Sequence, residues 1–277
     1  MFDLQKIPVF VISLARAPER RTAIGQHLTG LGIEFRLIDA VDGKAMAPSQ
    51  IEEVVGSGKE MHPGTVGCYL SHINVYRTIC DENIEIALIL EDDARLDRRA
   101  RSLLLNGCEH ADWDYCFLDC DDQNDGGPIF YDADSGSELG AGFTAYSLSA
   151  GPQTLHAYLI TRSAAQKRLD HAFPLVKPID LYDHLPYPIH FRSLVSPKLA
   201  WVSEYSLNSF TSVKSGSLAD LSFVILRRWP IFYRLRDLVR LKDFKRNRLA
   251  KILEAQGKLP AGPRWRALPS GREILIT

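Results

Sequence analysis

No apolar run in the 277-residue chain is long enough to cross a membrane. The longest, such as Val9–Leu14 and Ile86–Leu90, reach about six residues, against the roughly 20 that a span needs. The opening Met1-Phe2-Asp3-Leu4-Gln5-Lys6 is not a charged leader followed by a long apolar stretch, so no signal peptide is expected. Cysteine is scarce: five residues, an odd number, and no CxxC pair. Cys116 and Cys120 fall in one apolar, strand-like segment and are poorly placed for a shared metal. Free thiols in a reducing compartment are therefore expected of Cys68, Cys80, Cys108, Cys116 and Cys120. No internal repeat occurs. At 45% hydrophobic and 24% charged, the composition excludes fibrous, collagen-like and wholly disordered classes. A chain of this length buries a core without disulfide staples. It holds one large domain or two modest ones at roughly 100–200 residues each.

Net charge is also nearly absent, at −1, but its distribution is uneven. Residues 227–277 hold 14 Lys/Arg against 4 Asp/Glu, giving +10, while residues 1–226 hold 19 against 30, giving −11. An acidic body with a basic tail points to an anionic partner for the tail. The acidic body makes nucleic acid a minor option.

What is present is alternation. Val9–Leu14 reads as a buried strand, and Pro18 opens a helix striped by Ile24, Leu28 and Leu31 and stopped near Gly32. Glu34–Ile38 reads as a strand and Thr65–Cys80 as a helix. Glu85–Leu90, Tyr115–Leu118 and His156–Thr161 read as strands, the last followed by a helix from Ser163 to about His171. This order predicts an α/β domain with a mostly parallel sheet flanked by helices. Asp121–Gly151, rich in Gly, Asp and Ser, reads as a functional flap or acceptor loop. From Ser217 on, Leu, Val and Phe alternate with Arg and Lys, predicting a basic amphipathic helical region broken at Pro230. The last 20 residues read as an irregular tail. The expected division is a catalytic domain over 1–216 and a basic C-terminal region over 217–277.

Four features carry chemistry. Glu91-Asp92-Asp93 directly follows a buried strand, where ligands bind in open α/β sheets. Three adjacent carboxylates repel one another unless a hard divalent ion is present; a solvated acidic turn is the plainer alternative. Gly64-Thr65-Val66-Gly67-Cys68-Tyr69-Leu70-Ser71-His72 starts a helix with glycines that admit a phosphate or a neighbouring backbone. Asp180, after Pro178-Ile179, reads as a preorganised general base or as an ordinary helix cap. Arg20 and Arg21 suit a pyrophosphate, and Asp42 suits ribose hydroxyls; a solvated helix face and a turn are the alternatives.

The order of these blocks is more specific than any one of them. Val11-Ile12-Ser13-Leu14 with Glu19-Arg20-Arg21 precedes Asp39-Ala40-Val41-Asp42-Gly43, then Gly64-x-x-Gly67-Cys68-x-x-Ser71-His72, Leu88-Ile89-Leu90-Glu91-Asp92-Asp93 and Pro178-Ile179-Asp180. Over roughly residues 7–210 the chain resembles glycosyltransferase family 25, whose members build bacterial lipooligosaccharide and include collagen galactosyltransferases. The resemblance implies a GT-A fold, a Rossmann-like sheet that binds a UDP-sugar. It implies Mn2+ or Mg2+ at the acidic run, carried first by Asp93, then by Glu91 and Asp92. Ser13, Leu14, Arg20, Arg21, Ala40, Asp42, Gly67, Ser71 and His72 then fall to the nucleotide sugar. His156, Asn208 and Ser209 become donor or acceptor contacts; His156 stands where relatives more often carry a small residue.

The implied reaction is inverting transfer of a hexose, galactose from UDP-galactose by default, onto a lipooligosaccharide or related acceptor. Asp180 is the expected base or acceptor-orienting group, with Asp119 second because it too ends a strand. Alternatives are a nucleotide-sugar hydrolase and a non-catalytic glycan- or membrane-binding module. The expected location is cytoplasmic, peripheral on the inner face of the membrane through the basic tail.

Overall fold

The computed structural model describes residues 5–56, 60–108, 112–121, 123–124, 127–208, 244–269 and 274–275. In chain order, β1 (Val9–Ser13) leads to α1 (Pro18–Gly30) and β2 (Arg36–Asp39). Next come α2 (Pro48–Val55), α3 (Pro63–Asp81), β3 (Ile86–Glu91), β4 (Ala94–Leu96), α4 (Ala100–Asn106) and β5 (Tyr115–Phe117). Five short strands follow: β6 (Gln123–Asn124), β7 (Gly127–Pro128), β8 (Phe130–Asp132), β9 (Ser137–Gly140) and β10 (Phe143–Ser147). Then come β11 (Ala157–Thr161), α5 (Arg162–Asp170), β12 (Phe191–Leu194), β13 (Ala200–Ser203), β14 (Trp265–Ala267) and β15 (Ile274–Leu275).

Eight strands form one sheet in the order β2-β1-β3-β11-β5-β12-β10-β9. The side chains of β1 explain its place. Phe10 and Ile12 enter the core on the α3 face, while Val9 and Val11 enter the core on the α1 and α4 face. A strand alternates its side chains, so a continuous apolar run is what a sheet covered on both faces requires. The helices follow the same logic. Pro sits in the first turn of α1, Ile24 and Leu28 are fully buried, and Gly32 at φ +66° takes the left-handed position after the helix end. Burying an isoleucine or leucine contributes about 1.5–3 kcal/mol, and α3 buries Ile73 and Ile79 completely.

Four expectations are corrected. The sheet is mixed: β1–β2, β1–β3 and β5–β12 are parallel, but β11 is antiparallel to both β3 and β5, and β10 to both β9 and β12. A buried apolar run has the same sequence pattern in either direction, so polarity is not readable from it. Asp121–Gly151, read as a functional flap or acceptor loop, holds strands among its described residues, supplying β9 and β10 to the sheet edge and β8 beside it. No helix follows Asp180, which sits in a turn, so the helix-cap alternative falls. The end of the chain is also less irregular than expected: β14 pairs with β8 and β15 with β13. Of the basic region, residues 244–255 are helical, with Ala250 packed near Phe130 and Ala267; residues 209–243 lie outside the described residues.

Candidate active site

A cleft of about 460 Å³ opens beyond the carboxyl ends of β1 and β3. This is where parallel neighbours of an α/β sheet leave a crevice, and the volume lies in the usual range for a small-molecule site. Of the residues singled out in the sequence, Ser13, Leu14, Arg20, Ala40, Asp42, Ser71, His72, Glu91, Asp92, Asp93, His156 and Asp180 all line it. Segments far apart in the chain are thus brought to one place.

The acidic run leaves β3 in a turn and enters β4. Its backbone is tied on both sides: Glu91 N–H donates to the His156 carbonyl at 3.0 Å, and Ser203 N–H to the Asp93 carbonyl at 2.7 Å. The three carboxylates then diverge. Asp92 is buried; it accepts from Ser13 Oγ at 2.7 Å and ion-pairs with Arg20. Burial raises the Asp92 carboxyl above its ordinary pKa, an effect that the Arg20 guanidinium and Ser13 only partly oppose. Asp93 shares the same guanidinium at 3.2 Å. Glu91 instead faces α3, with Oε1 3.4 Å from His72 Nε2.

Hydrogen bonds and close packing fix the segments around the cleft. Ser71 donates to the Gly67 carbonyl at 2.6 Å and accepts from Val41 N–H at 2.9 Å, which bolts α3 to the segment after β2. Gly67 does not line the cleft. A Cβ there would stand 2.5 Å from the Val41 carbonyl oxygen and 2.6 Å from the Gly43 nitrogen, so only glycine allows this approach. Arg21 ties β1 to β2, donating to the Ser13 carbonyl at 2.8 Å and to Asp39 at 2.7 Å. Asp42 pairs with Arg16 and accepts from Lys44 N–H; the Arg16 hydrogen bond holds its carboxyl below the ordinary value.

Asp119 lies outside the cleft wall. Its side chain is wholly buried, 2.6 Å from Lys198 Nζ and 3.3 Å from His156 Nε2. It adjoins His156, which lines the cleft. Asn208 ends a short 3-10 turn over Glu204–Asn208, and Ser209 lies outside the described residues. Sequence reasoning did not single out Thr154, Gln153 or Ser206, which also line the cleft and carry no motif signal of their own.

Cys68 belongs to the site as well. Its sulfur, a ring nitrogen of His72 and a carboxylate oxygen of Glu91 all lie within 4.8 Å of one another. Burial raises the Cys68 thiol well above its ordinary pKa, reinforced by the charges of Glu91, Asp180 and Asp93. All five cysteines are free, as expected. For a divalent ion the donor chemistry is uneven across the acidic run. Both Asp92 oxygens are engaged by Ser13 and Arg20, whereas Glu91 has nitrogen and sulfur donors beside it. A divalent ion therefore fits at Glu91 better than at Asp92.

Residues 6–125 match the family model described as glycosyltransferase family 25 (LPS biosynthesis protein). The chain is 31% identical over 275 residues to procollagen galactosyltransferase 1-B of Xenopus laevis, covering 88% of this chain and 42% of that protein. It is 31% identical over 229 residues to procollagen galactosyltransferase 1-A of the same species, covering 72% of this chain and 36% of that one. The chain thus spans less than half the length of these relatives. Among solved structures, HddC from Yersinia pseudotuberculosis, complexed with GMP-PN, aligns with a TM-score of 0.33 at 11% identity, over 71% of this chain and 93% of that one. That likeness is too slight to assign the fold.

Proposed function

Since the chain belongs to glycosyltransferase family 25, a family of enzymes, we propose that its cleft binds a UDP-sugar and transfers the hexose, with inversion, to a glycan hydroxyl. Galactose is the donor sugar of this reading, and a lipooligosaccharide or related surface glycan the acceptor. The observation that carries it is the convergence of Glu91, His72, Arg20, Asp42 and Asp180 on one cleft at the carboxyl ends of β1 and β3.

The roles follow from position. Ser13, Leu14, Ala40 and Asp42 border the part of the cleft nearest β1 and β2, where the nucleotide is placed. The first turn of α3, Gly64 and Thr65, faces the same space, and a helix start favours the negative charge of a diphosphate. Glu91 is the member of the acidic run best placed to hold Mn2+ or Mg2+. Such an ion, when bound, neutralises charge on the leaving diphosphate. Asp180 stands on the turn after Pro178 and serves as base. The acceptor oxygen bonds to the anomeric carbon as the bond from that carbon to the UDP oxygen breaks. UDP leaves with the electron pair, and the acceptor proton passes to the Asp180 carboxylate. Asp119, set behind His156, acts on the cleft through that ring.

The test is UDP release from a panel of UDP-sugars, with Mn2+ or EDTA, with and without a lipooligosaccharide or simple β-glycoside acceptor. Acceptor-stimulated, EDTA-sensitive turnover of one sugar is expected. Acceptor-independent turnover makes the protein a hydrolase instead. Asp180→Asn is expected to keep UDP affinity and to lose roughly a hundredfold or more in transfer. Full activity in that variant places the base elsewhere.

A further inference from the structure

We propose that Cys68, His72 and Glu91 form a mixed sulfur, nitrogen and oxygen seat for a divalent transition-metal ion, and that Tyr158 is the positioning residue that holds the His72 ring toward it. The inference rests on the reading of the cleft as a metal-dependent transfer site, and it places the ion away from the aspartates of the acidic run.

The elements make the seat rigid. Cys68 and His72 are one turn apart on α3, so both side chains leave the same helix face. Glu91 is the last residue of β3. All three line the cleft, and their ligand atoms lie within 4.8 Å of one another. Ligand atoms at roughly 2.0–2.3 Å from one tetrahedral ion stand about 3.3–3.8 Å apart, so the three draw together as the ion binds. Three protein ligands leave a position open to the cleft for a substrate oxygen.

The surroundings of His72 point the same way. Its Nε2 faces Glu91 at 3.4 Å, and its Nδ1 lies 2.7 Å from the Tyr158 hydroxyl. Tyr158 is in turn 2.9 Å from the Tyr76 hydroxyl, and Tyr76 is 3.4 Å from that of Tyr115. All four side chains are buried. With Tyr158 donating to Tyr76, its oxygen accepts the Nδ1 proton of His72. The Nε2 lone pair then faces Glu91. Metal-binding histidines are characteristically held through the other ring nitrogen in this way. Meanwhile Arg20 engages both Asp92 and Asp93, which leaves the run's aspartates with a cation of their own. A set with imidazole and sulfur selects a transition ion over Mg2+.

The experiment is a Co2+ titration of the full chain without sugar donor, followed by visible and near-ultraviolet absorption. One equivalent is expected to bind, with ligand-field bands and a sulfur-to-cobalt charge-transfer band that Cys68→Ser removes. His72→Gln is expected to abolish binding. Tyr158→Phe is expected to weaken it about 10–100-fold while the charge-transfer band persists at saturation. X-ray absorption of the cobalt-loaded wild-type chain reads the sulfur directly, and so stands even if a variant fails to fold. A shell of oxygen alone, or Co2+ affinity unchanged in His72→Gln, overturns the proposal. The readout needs no transfer, so a failed transferase assay with an intact cobalt spectrum sinks only the reaction, and the converse sinks only the seat.

Discussion

Asp119 shows what one buried charge contributes. Burial by itself would raise its carboxyl; the His156 hydrogen bond and the Lys198 ammonium outweigh that and hold it below the ordinary value. A folded-state pKa below the unfolded one means stability that is present above the ordinary carboxylate value of about 4 and lost as pH falls through the folded value. Asp119→Asn removes the anion and leaves Lys198 and His156 without it. Breaking one side of a buried pair costs about 3–5 kcal/mol. Urea unfolding at pH 7 is expected to show a loss of that size, shrinking as wild type and variant are compared at ever lower pH. An equal deficit at pH 7 and pH 3 would show that charge is not its source. The sequence marks Asp119 by its place at a strand end, but Lys198 comes from a distant segment with no motif. The residue was therefore legible and its partner was not. For Asp92 and Arg20 both residues were legible, singled out for a ligand, but their bond to each other was not.

Elements were more legible than their arrangement. The main apolar strands, and the helices α3 and α5, fall within two residues of their predicted bounds, because apolar periodicity and the turn residues that end it are local signals. Strand direction and the pairing of β9 and β10 are long-range facts, and no local pattern encodes them. The turn that carries Asp180 is another such fact. It is held by α5, whose Arg168 is 2% exposed and donates from Nη2 to the Ile179 carbonyl at 3.0 Å. The guanidinium carbon lies 5.7 Å from the centre of the Tyr182 ring. Arg168→Met keeps most of the packing volume and removes the pin. A buried charge replaced by an apolar side chain of similar size is often neutral for stability. The variant is therefore expected to fold with little change in melting temperature. Amide exchange over residues 179–185 is expected to quicken, and acceptor KM to rise with UDP affinity retained. Unchanged exchange in that turn would show that Arg168 does not hold it.

At the scale of the whole molecule the charge balance is split between the body and the C-terminal region. The body carries −11, with Asp42, Glu91, Asp92, Asp93 and Asp180 lining the cleft, and the C-terminal 51 residues carry +10. Part of that region is committed to the body: β14 pairs with β8, β15 with β13, and residues 244–255 pack near Phe130. Among the described residues no helix is long and apolar enough to cross a membrane. The lipid-linked acceptor proposed above would be met at a surface that attracts basic groups. Arg227, Arg228, Arg234, Arg236 and Arg240 lie in the stretch outside the described residues and are the groups we propose for an anionic leaflet. Each basic residue near such a surface contributes about 1 kcal/mol, so even two of the five in contact are worth more than tenfold in binding. Deleting the tail would also strip β14 and β15 from their partners and confuse attachment with stability. Replacing the five arginines by glutamine leaves the described packing untouched. Flotation with anionic vesicles in low salt is expected to recover the wild-type chain and to lose at least tenfold of the variant, while neutral vesicles recover neither. Raising ionic strength should release the wild type in the same way, because the attraction is screened within about 8–10 Å at physiological salt. Equal flotation of the two proteins would confine the basic stretch to a solvated role and leave the acceptor to reach the cleft from solution.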